Sequence, residues 1–597
     1  ILGGVSNVEV LELTGDAATV SLAANISPTT FDLTDTDDQV LNLNAGYTND
    51  ATVTIGATTA DNVNNGSSAT TSANTTLTVN GTAGAWATNV TVTGGTGTDT
   101  VNIQQAAADT TVGLGSTVTG VENFNIVDTT LSNTADTDVS ITSYATAATW
   151  DASGMDSGED TTINLTSASA AQTIKGGEGA DAITGGAKAD TIYGNGGADT
   201  IDGGAGLDLI EAGAGNDTIN AATEAQLLTT LGTDTIDGGA GTDTLAIQAA
   251  ATLTTAEVAN ISNIEVLSLT TASTLTVNDA FLAANPGIVI QPGATSTIKA
   301  STATGDALTS SLNIKANAAG NLSVLGGSGD DTFTFYATET LTALDSVNGG
   351  AGTDKIIVDI VDATPQAGTG VDTTAVLDAS ITNIETVEIR DVATNDGGSG
   401  ASTITTATVT INAGFTGTSL TVDGSALDAH PTTLTSGERL SLDASNNAAT
   451  EAVTALGGAF SDSLVGGAGA DTLTGNAGAD TLTGGAGNDV ISGGAGADAI
   501  TGGAGIDNID AGAGNDTITV STFTDFKTSG GAETVDGGAG NDTLSFTQAT
   551  SLTLTAPELE SVIGIETIDA ADSIAGNATS VTLGNGFFTS NGSSTII

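Results

Sequence analysis

Aspartates recur at intervals of nine along two stretches of this chain: Asp181, Asp190, Asp199, Asp208 and Asp217, then Asp462, Asp471, Asp480, Asp489, Asp498, Asp507 and Asp516. Each stands sixth in a glycine-rich nonapeptide, such as GGEGADAIT from Gly176 or GGAGADTLT from Gly466, and the eighth residue is always Ile or Leu. Five such units run consecutively from Gly176 and seven from Gly457. Carboxylates at a fixed period are hard oxygen donors. Ca²⁺, which takes 6–8 oxygens at about 2.3–2.6 Å, is the ion they suit. Mg²⁺ fits less well because it demands a tight octahedron and keeps its waters. Softer metals lack ligands, since the chain has no Cys and one His.

Nine residues divide into a six-residue turn and a three-residue strand. Gly at the first, second and fourth positions permits positive φ and close backbone approach. The strand turns one aliphatic side chain inward, as at Ile183, Ile192 and Ile201. Two nonapeptides make one 18-residue coil, and coils stack at the sheet spacing of about 4.8 Å. The inward aliphatics then form a thin core that no repeat buries alone. Aspartates eighteen apart fall on one edge, above each other. Two carboxylates roughly 4–5 Å apart repel by about 4 kcal/mol at an effective dielectric of 20, so the empty roll is expected to be loose. Bound Ca²⁺ reverses the sign, drawing on carboxylates and backbone carbonyls and coupling binding to folding. A flexible Gly-rich linker is the competing reading, but the Asp and Ile/Leu register never slips.

Isolated copies appear elsewhere. Asp243 and Asp542 each follow the last Asp of a block by 26 residues, so an excursion returns the chain to cap the roll. Asp99, Asp331 and Asp354 lie in single turns, where metal binding competes with a plain turn. A second string trails these turns: SNVEVLEL around Glu9, TGVENFNI around Glu122, SNIEVLSL around Glu265, TNIETVEI around Glu385 and IGIETIDA around Glu566. Its Glu is either a further ligand or, the preferred reading, a solvent-facing residue at a strand entrance.

Composition bounds the function. Seventy acidic side chains stand against 8 Lys+Arg, a formal charge of −62. That excludes phosphate-backbone recognition and argues against anionic membrane surfaces, so neither nucleic acid nor membrane insertion is expected. No stretch approaches 18 apolar residues. Neutrality would take about 31 divalent cations (62/2) as an upper bound. Acidic, aromatic-poor chains are commonly disordered. Here 39% of residues are apolar, with Val, Ile, Leu and Thr in short alternating runs that favour strands.

The expected fold is all-β: a parallel β-roll or β-helix solenoid of nonapeptides alternating with Thr/Val-rich β modules. Its segments are 1–93, 94–175, the first roll with its closing turn at 176–246, 247–325, short turns at 326–357, 358–456, the second roll with its closing turn at 457–545, and 546–597. A short helical turn is expected near Thr254. The first residues already sit inside a recurrent motif, so a fragment of a longer chain is expected.

The GGxGxDxUx runs from Gly176 and Gly457 resemble the RTX (hemolysin-type) calcium-binding repeat. That resemblance implies type I secretion and folding on meeting extracellular Ca²⁺. A GGxGTDxL turn followed by G/N-I-E-x-hydrophobic-x-hydrophobic, in a Thr/Ala/Val-rich and Lys-poor chain, further resembles Caulobacter-type RTX surface-layer proteins. In that family Ca²⁺ fills the rolls and drives a two-dimensional lattice on the bacterial cell surface. It implies self-association as the main partnership, with cell-surface polysaccharide as an anchor through other regions. Departures at Lys188, Phe460, Ala212 and Ala511, which replace turn glycines, are expected to distort those turns.

An adhesin or fibre stalk would use the same modules, but at near-constant length. Here the Glu-to-Glu spacings are 113, 143, 120 and 181. No catalysis is expected. HExxH needs two His, no GxSxG occurs, and the lone His430 precedes Pro431 in DAHPTT. Trp86 and Trp150 are read as strand packing.

Overall fold

The structure is a computed structural model. It describes residues 146–222, 234–293, 344–360, 373–391, 439–447, 451–521, 531–547 and 559–570 continuously, shorter stretches elsewhere from residue 98 on, and strand backbones alone before it. His430, Glu9 and Trp86 lie outside the described residues. The chain forms two compact units, Ile1–Ile290 and Gln291–Ile597, whose border falls within the 247–325 segment.

In the first unit, successive strands go alternately to two parallel sheets. One runs through Asn123–Asp128, Thr149–Gly154, Thr173–Lys175, Thr191–Gly196, Leu209–Ala214 and Thr235–Ala240. The other runs through Thr161–Asn164, Ala182–Thr184, Thr200–Asp202, Thr218–Ala221, Thr244–Ile247 and Val266–Leu269. Within the repeats the register advances by one coil per step: Ile192 pairs with Ile210 and Ile183 with Ile201. The aliphatic two residues after each edge position is buried, so Ile174, Ile192, Ile210 and Ile236 line one wall, and Ile183, Ile201, Ile219 and Leu245 line the other. This is the thin core expected from the eighth position. Strands outside the repeats pair in the same parallel sense, from Thr30–Leu33 with Ala51–Ile55 onward.

The second unit repeats the arrangement. Thr472–Ala477, Val490–Ala495 and Asn508–Gly514 stack in one sheet, and Thr481–Ala486, Ala499–Ala504 and Thr517–Val520 in the other. In both units the excursion of 26 residues carries a two-stranded antiparallel hairpin: Leu228–Thr229 with Gly232–Thr233, and Lys527–Thr528 with Gly531–Ala532. The chain then rejoins the ladder in register, with Ile219 against Leu245 and Ile518 against Leu544.

Two local expectations change. The segment at Thr254 is a turn held by Glu257 N–H to the Thr254 carbonyl. The helix lies at Asp279–Ala284 instead, capped by Asn278, whose side chain accepts from the Phe281 N–H. Nor are the turns opened by Ala212 and Ala511 displaced, whereas the repeats of Lys188 and Phe460 hold Gly186 and Gly458, which lie outside the positive-φ set. Ala212 and Ala511 stand first in their repeats, and positive φ falls on the glycines after them, Gly213 (117°) and Gly512 (100°). Gly213 still pairs with Gly239 and Gly512 with Gly494. At the second position Asn195 and Asn476 take φ of 74° and 70°, a conformation Asn tolerates better than other non-glycine residues.

Candidate metal centres

The coil edges are built as ladders of aspartate. The backbone N–H of Asp181 donates to Oδ1 of Asp199 at 2.8 Å, and Asp199 N–H donates to Oδ1 of Asp217 at 2.7 Å. On the opposite edge Asp190 donates to Asp208 at 2.8 Å. The second block repeats this on both edges: Asp462 to Asp480, Asp480 to Asp498 and Asp498 to Asp516, and Asp471 to Asp489 and Asp489 to Asp507. The excursions close as expected, with Asp217 N–H on Asp243 and Asp516 N–H on Asp542. Of the isolated turns, Asp331 and Asp354 form the same step at 2.8 Å. Asp99 donates to a glutamate instead.

One carboxylate oxygen is thereby committed to the backbone and the other is stranded. Oδ2 of Asp199, Asp208, Asp217, Asp243, Asp354, Asp471, Asp480, Asp489, Asp498, Asp516 and Asp542 is buried without a hydrogen-bond partner. A buried, unpaired charge of this kind costs several kcal/mol. Entry turns differ. There the second glycine donates its N–H to Oδ2, Gly177 to Asp181, Gly186 to Asp190 and Gly458 to Asp462, at 2.6–2.7 Å. Those glycines lie outside the positive-φ set, whereas Gly204, Gly213, Gly485 and Gly494 lie inside it at 89°, 117°, 115° and 104°. The flipped glycine turns its N–H away and leaves the carboxylate open.

Burial drives these carboxyls upward: Asp199 to about 8, and Asp208, Asp234, Asp480 and Asp489 to about 7. Hydrogen bonds from the preceding coil oppose the rise, and the charges of ladder neighbours such as Asp181 and Asp217 add to it. Desolvation therefore outweighs the mutual repulsion on which the sequence argument rested. The stranded oxygens share their space with carbonyls. A Cβ on Gly484 would overlap both Asp489 Oδ2 and the Gly502 carbonyl, and one on Gly466 both Asp471 Oδ2 and the Gly484 carbonyl. The donor set is all hard oxygen, which fits Ca²⁺. Among the described residues no three acidic, His or Cys side chains converge on a point, so such an ion must draw on carbonyls as well.

The recurrent glutamate is not a solvent-facing strand entrance. Glu122, Glu265, Glu385 and Glu566 each turn Oε2 back to accept the N–H of the preceding Asp, Asp99, Asp243, Asp354 and Asp542, at 2.7–2.9 Å. Each takes the rung the next Asp would have filled. Two residues earlier stands Gly120, Asn263, Asn383 or Gly564 at φ 67°, 52°, 53° or 67°, followed by a buried Val121, Ile264, Ile384 or Ile565. A short left-handed turn thus replaces the glycine loop.

Three ladder members among the described residues escaped the sequence reading, one of them Asp345, which is buried and accepts the Leu322 N–H at 2.8 Å. Asp234 accepts the Asp208 N–H at 2.8 Å, and Glu533 is buried at the matching place in the second unit. None has the full GGxG pattern before it, but each lies nine residues before the Asp of a later turn, Asp243, Asp354 or Asp542, a count that would have found them. Trp150 is strand packing as expected, fully buried against Phe124.

Residues 175–210, 203–223, 227–246, 456–491, 492–526 and 528–545 match the family described as RTX calcium-binding nonapeptide repeat (4 copies). No curated protein matches the chain.

Proposed function

From the premise that this chain carries RTX calcium-binding nonapeptide repeats, which bind Ca²⁺ in multiple copies, we propose an extracellular structural protein. Its coil edges hold Ca²⁺ through the ladder aspartates of the two blocks, their closing Asp243 and Asp542, and the Asp331–Asp354 step. The observation that carries the reading is the row of buried Oδ2 atoms without partners. A divalent cation supplies the charge and the ligand those atoms lack. The chain's own part is to align each carboxylate by the N–H of the coil before it and to exclude water from the edge.

The finer role we propose is a surface-layer subunit that self-assembles into a Ca²⁺-dependent lattice on a bacterial cell, without catalysis. It is supported by the likeness to RTX surface-layer proteins, the Lys-poor composition, and the irregular spacing of the closing motif, which suits a single shaped subunit better than a uniform stalk. Removing Ca²⁺ while following β-content and particle size by scattering tests it. Loss of structure with disassembly is expected. Loss of structure in a particle that is monomeric throughout would make it a stalk instead. Full recovery with Mg²⁺ would contradict the assignment of the sites.

A further inference from the structure

The closing glutamate reproduces the whole donor set of a ladder step. Within a block, a Cβ on Gly484 would overlap both Asp489 Oδ2 and the Gly502 carbonyl of the next coil, and the next carboxylate, Asp507, has its Oδ1 on the Asp489 N–H. At the Asp354 step the pieces are the same but the sequence is not. A Cβ on Gly349 would overlap both Asp354 Oδ2 and the Asn383 carbonyl, and Glu385 Oε2 accepts the Asp354 N–H at 2.7 Å. Asp354 is completely buried and its Oδ2 has no partner. At Gly238 a Cβ would overlap the Asn263 carbonyl and approach Asp243, whose N–H donates to Glu265 Oε2, and at Gly537 it would overlap the Gly564 carbonyl and approach Asp542, whose N–H donates to Glu566 Oε2. The left-handed residue at 263, 383 or 564 is what brings its carbonyl to this place.

We propose that three of the closing steps, Asp243–Glu265, Asp354–Glu385 and Asp542–Glu566, are themselves Ca²⁺ sites, with the glutamate as the terminal carboxylate ligand. This rests on the reading that the ladder aspartates hold Ca²⁺, and extends it to a residue type and a motif outside the nonapeptide. Residues 265, 385 and 566 all lie outside the matched repeats, and the Asp354 step lies outside them entirely. A hydrogen-bonding cap alone would need an acceptor at this position, not a charge. Glutamine would serve as well.

The test uses that difference. The full chain and a variant carrying Glu265→Gln, Glu385→Gln and Glu566→Gln are dialysed against saturating Ca²⁺, and bound metal is counted per chain. The variant is expected to lose three ions while its far-UV spectrum is unchanged. An unchanged count would overturn the proposal and leave the glutamates as caps. A wild-type chain that retains no Ca²⁺ would sink the ladder reading itself, and this proposal with it. Should the triple variant fold poorly, Glu385→Gln alone is expected to lose one ion, and retention of all would overturn the assignment.

Discussion

The described residues of 121–175 and those of 176–247 wind in the same parallel sense but are held together by different means. In the first, the edge positions that carry Asp further on are Ala148, Gln172 and Thr161. The interior is aromatic: Phe124 stacks on Trp150 with centroids 4.0 Å apart, and Tyr144 packs edge-on against both. Polar atoms there are paired, Trp150 Nε1 with Gln172 Oε1 and the Tyr144 hydroxyl with the Val121 carbonyl. In the second, the core is a row of Ile and Leu, and the edges bury carboxylates with stranded oxygens. Parallel coiling thus does not require aspartate at every edge position. The demand for a cation is local to coils that trade bulky cores for buried charge.

The largest expected effect separates the two directly. In excess chelator, backbone amides of 176–219 and 457–520 should lose hydrogen-exchange protection, while 149–175 keeps it. Equal loss in both would erase the distinction. Next, Trp150→Ala should cost about 3–5 kcal/mol of the stability of its own coils, equally with and without Ca²⁺. Urea titrations in the two conditions check it, and a loss confined to chelator would tie the aromatic coils to metal after all.

A smaller effect should change sign. Asp480→Asn removes a buried charge while keeping an acceptor for the Asp462 N–H. In Ca²⁺ it should destabilise the second block by about 1–3 kcal/mol. In chelator it should stabilise it, since the charge it removes has nothing to pair with. Destabilisation in both would mean the carboxylate serves packing alone. The smallest effect is that of pH on the calcium-free chain. Carboxyls raised by burial to about 7, as at Asp208 and Asp489, or about 8 at Asp199, bind protons more tightly folded than unfolded. Their contribution is complete below the ordinary carboxylate range, near pH 4, and is lost as pH rises through about 7–8. The melting temperature in chelator should therefore fall between pH 5 and 8, and a rise across that window would contradict the burial of these groups.

How much of this was legible depended on period. The repeat blocks declared themselves because Asp and Ile/Leu return every nine residues, and one coil is two such units. Coils between the blocks keep the winding with other lengths. Trp150 pairs with Ile174 and Val387 with Val422, 24 and 35 residues apart, so no fixed count exposes them. The role of the closing glutamate was hidden for another reason. Its string reads as an ordinary strand entrance until the left-handed turn at Asn263 or Asn383 is seen to swing the side chain back one coil. The penalty on the ladder was misjudged because sequence gives the distance between charges but not their burial.

The central claim is that a hard cation completes the stranded Oδ2 atoms. Anomalous diffraction at a wavelength sensitive to calcium, from crystals grown in Ca²⁺, tests it most directly. Peaks should lie along both edges of each block, within ligand distance of Oδ2 of residues such as Asp199, Asp217, Asp480 and Asp489. Edges that show only water, or carboxyls closed on protein donors with no metal in millimolar Ca²⁺, would contradict it.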